Sequence, residues 1–208
     1  MFAPGTEKVR FSSRSVKEGE RTTTYRGIVA LRCPFDYVIY QMIISELRPD
    51  LVIEVGTNRG GGALYLGDLM NALGHGIVHT IDIESKSAPV VREHPRVRVF
   101  TEGWEGYDIV EARQFAMILV IEDGSHVYEQ TLGAMRKFAQ LVSIGSYLIV
   151  EDGIVSELGI AEQYNGGPLR AIRDFLKSNN GFVVDRHWCD FYGRNATSNI
   201  NGYLKRIK

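Results

Sequence analysis

The chain has 208 residues, of which 44% are hydrophobic and 24% charged, with a formal net charge of -1. That length fits a single domain able to bury a full core, and so small a net charge supplies no global field toward nucleic acid or anionic lipid. Cys33 and Cys189 show neither a C-x-x-C pair nor zinc-ligand spacing, the first residues lack an apolar signal segment, and no run approaches the roughly 18 apolar residues that span a bilayer. A soluble, cytoplasmic protein is expected.

Residues 1 to about 24 are polar, charged and without periodicity, which reads as an arm or lid ordered by something else. The chain therefore divides into an arm, lid or oligomerisation segment, 1–33, and a domain, 34–208. From Pro34, Tyr37, Tyr40, Ile44 and Leu47 recur at helical spacing, and Pro49 closes that helix. Short apolar runs follow at regular intervals: LVIEVG at Leu51, GIVHTID at Gly76, RVRVF at Arg96, FAMILVIED at Phe115 and GSYLIVED at Gly145. Helical patterns lie between them, clearest in GGALYLGDLMNAL and YEQTLGAMRKFAQLV. Such alternation predicts a parallel sheet with helices on both faces, an α/β Rossmann-like fold. After a helix over 168–179, GFVVDRHW and GYLKRI read as a hairpin at one sheet edge.

The first strand ends in IEVGTNRGGG, with Glu54, Gly56, Gly60, Gly61 and Gly62 at the turn into the first long helix of the alternating region. Glycines there let the backbone approach a ligand and the helix pack on the sheet. The spacing is not that of a P-loop, nor is it G-x-G-x-x-G, because Asn58 stands where the second glycine belongs. Asp82, at the end of the second strand, stands where an acid accepts hydrogen bonds from ribose hydroxyls, so the pair of motifs points to an adenosine pocket. The bland reading is that Glu54 and Asp82 cap helices. Trp104, after the third strand, can stack on an adenine or simply pack.

Two strands end alike, in VIEDGSH and IVEDG. Carboxylates on neighbouring strand tips repel unless something positive sits between them, so Asp123, Glu151 and Asp152 are expected to converge on a metal ion. Oxygen donors with room for water suit Mg²⁺. By strand alternation Glu122 faces away from Asp123. His126, three residues beyond Asp123, is placed to take a proton from a hydroxyl that a cation has acidified. His75, His79, His94 and His187 fall in predicted turns, strand interiors or a short helix, without an acidic strand end such as His126 has, and read as structural.

Together IEVGTNRGGGAL, TIDI, VIEDGSH, GSYLIVEDG and NGYLKRI resemble the cephalosporin hydroxylase / rhamnosyl O-methyltransferase family, class I methyltransferases that use S-adenosylmethionine (SAM), over about Pro34 to Lys208. The resemblance implies a seven-stranded, mostly parallel sheet with the last strand antiparallel. It implies SAM held by Glu54, Gly56, Thr57, Asn58, Gly60, Asp82, Gly103, Trp104 and Asp123. It also implies Mg²⁺ held by Asp123, Glu151 and Asp152, and His126 as base. Ser125 departs from the Asp or Asn often found before that histidine.

The function expected is Mg-dependent O-methylation of a sugar hydroxyl, on a bacterial polysaccharide, glycolipid or antibiotic glycoside. The partner is then a small-molecule or glycan acceptor with adjacent hydroxyls, in a homo-oligomeric protein that engages neither nucleic acid nor membrane. The alternatives are a catechol-type O-methyltransferase and a non-catalytic SAM-binding subunit.

Overall fold

A computed structural model describes residues 5, 6, 9, 11–84 and 86–208. Its centre is a seven-stranded sheet built from β3 (Leu51–Val55), β4 (Ile77–Ile81), β5 (Val97–Phe100), β6 (Ile118–Glu122), β7 (Tyr147–Val150), β8 (Phe182–Val184) and β9 (Tyr203–Arg206), in the order β5-β4-β3-β6-β7-β9-β8. The neighbours from β5 to β7 pair in parallel, and β9 runs antiparallel to both β7 and β8. The edge hairpin expected from the late strands therefore joins the sheet through its second strand.

Strand alternation sorts the core into two layers. Leu51, Ile53, Val55, Val120, Leu148 and Val150 pack against α7 (Tyr128–Phe138) and α8 (Gly167–Ser178). Val52, Leu119, Ile121 and Ile149 pack against α2 (Pro34–Leu47) and α3 (Gly61–Ala72). Strands buried on both faces read as continuous apolar runs, as parallel sheets require. Pro34 opens α2 at a position that needs no N–H, and Arg48, left-handed at φ 47°, ends it one residue before Pro49. Short helices α4 (Pro89–Arg92), α5 (Gly103–Gly106), α6 (Ile109–Ala112) and α9 (Arg186–Cys189) fill the remaining connections.

The N-terminal segment departs from the expectation of an irregular arm. Ser13–Glu20 forms helix α1, whose end is closed by a reciprocal cap: Ser15 N–H donates to Ser12 Oγ (3.2 Å), and Ser12 N–H donates to Ser15 Oγ (2.8 Å). A hairpin of β1 (Thr24–Tyr25) and β2 (Ile28–Val29) follows, turned by Arg26 and Gly27 at φ 49° and 80°, the two left-handed residues that a two-residue hairpin favours. This strap crosses the start of α3 so closely that a Cβ on Gly61 would lie 2.2 Å from the Val29 carbonyl oxygen.

Candidate active site

The strand order reverses between β3 and β6, and ligands of open α/β sheets bind outside the carboxyl ends of the strands at such a point. The tips there are tied together: Asp123 N–H donates to Val55 O (2.8 Å), and Glu151 N–H donates to Glu122 O (2.9 Å). A larger cleft, about 420 Å³, lies among Asp50, Gly76, Ile77, Arg96 and Phe115 at the opposite, amino-terminal ends of the strands, away from every acid considered above.

Glu54, Asp123 and Glu151 meet on the α2/α3 face, and the cation between them is Arg32. Its Nη2 lies 2.7 Å from Glu151 Oε1, 3.3 Å from Glu54 Oε1 and 3.4 Å from Asp123 Oδ2. Tyr40 O–H donates to the same Glu151 Oε1 at 2.8 Å, and the guanidinium lies 4.9 Å from the Tyr40 ring centroid. Thr80 donates to Glu54 Oε2 at 2.7 Å and shares a hydrogen bond with Thr57. Burial pushes the Glu54 and Asp123 carboxyls above their ordinary range; for Asp123 the neighbouring charge of Glu151 adds to this, and for both acids Arg32 opposes it. Glu122, facing away, is driven by burial to about 7.

Asp152 is turned differently from Glu151. It sits in the left-handed region at φ 55°, where its Oδ2 lies 3.2 Å from His126 Nε2 and its Oδ1 accepts from Lys17 Nζ at 2.7 Å. Lys17 also pairs with Glu20 at 2.5 Å. Burial works against the Lys17 charge, but Asp152 and Glu20 outweigh it and hold the ammonium above its usual value. His126, itself at φ 60°, packs edge-on to Tyr164 and leaves Nδ1 buried without a partner. One donor atom each from Asp123, His126 and Asp152 lies within 4.8 Å of the others, a set able to hold a metal ion. Glu151 is not in that set; its oxygen is engaged by Arg32 and Tyr40.

The glycine-rich turn lies beside these groups. Gly56, at φ 104°, passes so near β6 that a Cβ would fall 2.0 Å from Asp123 O. Gly60, at φ 88°, opens α3. Asp82 Oδ2 accepts from Asn58 N–H and Oδ1 from Ile83 N–H, both at 2.7 Å, and Gly103 N–H donates to Asp82 O. Trp104 rests on α7 at Gly133 and donates to Gln130 at 2.9 Å. Two of the remaining histidines do have acidic partners, His75 with Asp50 and His94 with Asp68, while His79 is buried against Tyr107.

Sequence reasoning overlooked Arg32, Lys17 and Tyr40. Arg32 carried a signal, a lone cation in the otherwise apolar GIVALRCP ahead of a helix-starting proline; a charge so placed is buried only with partners. Lys17 carried none, since its partner Asp152 is 135 residues away.

The Rhamnosyl O-methyltransferase/CmcI family matches residues 18–207, starting inside α1 and well before Pro34. A rhamnosyl O-methyltransferase of Mycobacterium bovis (strain BCG / Pasteur 1173P2) is 34% identical over 195 residues, 88% of this chain and 78% of the relative. That of Mycobacterium leprae (strain TN) is 31% identical over 161 residues, 74% and 70%. Among solved structures, CmcI with Mg and SAM has a TM-score of 0.68 at 24% identity, over 90% of this chain and 78% of that one. MycE, from the mycinamycin pathway and in complex with Mg, SAH and mycinamycin VI, has a TM-score of 0.51 at 17% identity, over 78% and 44%. These likenesses show a shared fold. Given the match along nearly all of its length, the chain belongs to the Rhamnosyl O-methyltransferase/CmcI family and is a SAM-dependent O-methyltransferase.

Proposed function

We propose that this enzyme methylates a hydroxyl of a sugar bearing an adjacent oxygen, with Mg²⁺ and SAM as cofactors. The observation that carries the reading is the meeting of Asp123, His126 and Asp152 within 4.8 Å at the sheet's switch point, beside the glycine-rich turn. Asp123 and Asp152 supply carboxylate oxygens, the donors a hard divalent cation prefers, and leave the imidazole free. Held by Asp123 and Asp152, such an ion would supply Lewis acidity toward the acceptor hydroxyl, and bound SAM would supply the methyl group.

His126 takes the hydroxyl proton at Nε2, the nitrogen that faces Asp152. Asp82, with Gly103 and Trp104 beyond it, holds the adenosine, and Gly56, Thr57, Asn58 and Gly60 lie along the methionine end. Glu54 and Glu151 stand behind, fixing Arg32. Alignment of two bound reactants contributes most, since well-placed partners gain roughly 7–11 kcal/mol over free solution.

The test is transfer of labelled methyl from SAM to a panel of rhamnosides, other glycosides and catechols, with and without a chelator. Chelator-sensitive transfer to glycosides is expected. Preference for catechols would replace the sugar reading, and transfer to nothing in the panel, with SAM bound, would overturn it in favour of an acceptor of another class.

A further inference from the structure

We propose that Arg32 receives the carboxylate at the amino-acid end of SAM, an inference that rests on the methyl-transfer reading of the same site. The guanidinium is only partly used. Nε and Nη2 reach Glu151 Oε1 at 2.8 and 2.7 Å, and Nη2 also faces Glu54 and Asp123. Nη1 is buried and has no acceptor. The side chain is 3% exposed and lies over Tyr40, so Nη1 cannot turn to water, and a buried donor left unmet is costly.

Nη1 belongs to a recess lined by Arg32, Glu54, Gly56, Asn58, Gly62 and Asp123. A Cβ on Gly62 would lie 3.0 Å from Nη1 and 2.6 Å from Glu54 Oε1, so the absence of a side chain keeps that side of the guanidinium open. The glycine-rich turn thus serves the buried cation as well as the ligand.

Charge selects what can enter. Glu54, Asp123 and Glu151 surround one guanidinium, so an anion with no positive group beside it would face carboxyl oxygens as well as Arg32. A zwitterionic α-amino acid end brings both signs, its ammonium toward Asp123 and its carboxylate onto Nη1, and the nearby sulfonium adds a further positive charge. A charged hydrogen bond in a buried site is the strong kind. It would fix the methionine end and hence the direction of the methyl group, which makes Arg32 a positioning residue.

The experiment is isothermal titration of the full chain with S-adenosylhomocysteine and with its decarboxylated analogue, which differs only in the missing carboxylate. Wild type is expected to prefer the first by roughly 10- to 100-fold, the range of one charged hydrogen bond. In Arg32→Lys and Arg32→Gln that ratio should collapse toward one, with binding of the decarboxylated analogue kept. An unchanged ratio, both ligands weakened alike, would reduce Arg32 to a neutraliser of acids and overturn the inference, as would a wild-type ratio near one. If neither variant folds, the Arg32 guanidinium resonances of wild type, followed with isotope-labelled arginine, decide: they must shift with S-adenosylhomocysteine and stay still with the analogue. Failure of wild type to bind either ligand would instead defeat the methyl-transfer reading itself.

Discussion

At the scale of single residues, the site is governed by the direction each acid takes where its strand ends. Strand β7 ends at Val150; Glu151, just beyond it, goes to Arg32 and Tyr40, whereas Asp152 turns at φ 55° and goes to His126 and Lys17. Strand alternation separates Glu122 from Asp123 in the sequence, but the second acidic pair is parted by a left-handed turn. His126→Ala is expected to lower turnover by about 10²–10⁴ while SAM affinity stays within a factor of two or so, read by steady-state kinetics beside titration. Asp36 permits a pH prediction outside the chemistry. It is fully buried, accepts from Tyr203 O–H (2.7 Å), Ser198 N–H (2.9 Å) and the Thr197 hydroxyl, and burial nonetheless pushes its carboxyl up to about 7. Below pH 4 it is protonated folded and unfolded alike; between there and pH 7 only the unfolded chain gives up its proton, so stability falls as pH rises, by at most about 1.4 kcal/mol per pH unit. Urea unfolding of wild type and Asp36→Asn should diverge across that window in favour of the variant and run parallel above it. Curves parallel throughout would place the Asp36 carboxyl in its ordinary range.

At the scale of elements, α1 and the β1–β2 strap complete the site from the N-terminal side. Helix α1 carries Lys17 onto Asp152, where its ammonium and a divalent cation would compete for one carboxylate. Lys17→Met is therefore expected to tighten Mg²⁺ or Mn²⁺ binding roughly tenfold, as removal of a nearby like charge does in a partly exposed site. Weaker binding would mean that Lys17 holds Asp152 ready for the ion. The strap depends on Gly61, where a Cβ would lie 2.2 Å from Val29 O and 2.6 Å from Ala30 Cβ. Gly61→Ala should cost about 1–3 kcal/mol by overpacking. Gly19→Ala in α1, where a Cβ meets nothing within 4 Å, should be neutral or stabilise by roughly 0.5–1 kcal/mol. Chemical denaturation of both variants measures the contrast. The capped helix escaped sequence reading because its apolar periodicity is absent; Ser12 and Ser15 satisfy its first turn, and near its end Lys17 pairs with Glu20 within the helix and with the distant Asp152.

At the scale of the molecule, the sheet gathers acids from three strands on one edge, and Arg32 and Lys17 offset only part of their charge. A divalent cation that binds the folded state alone adds stability by mass action, about 2.7 kcal/mol at a hundredfold excess over its Kd. Thermal unfolding of wild type should shift upward with Mg²⁺, and that of Asp123→Ala should not; equal shifts in both would exclude Asp123 from the ion's site. The apolar runs, their spacing and the acidic strand ends lie in the sequence, and they determine the parallel sheet, the crevice and the family, because burial on both faces and short crossovers leave a local periodic record. What only the tertiary structure decided is which charges meet. Arg32 is 119 residues from Glu151 and Lys17 is 135 from Asp152; pairing across such distances follows from how the strap and α1 pack over the sheet, and no local pattern encodes it.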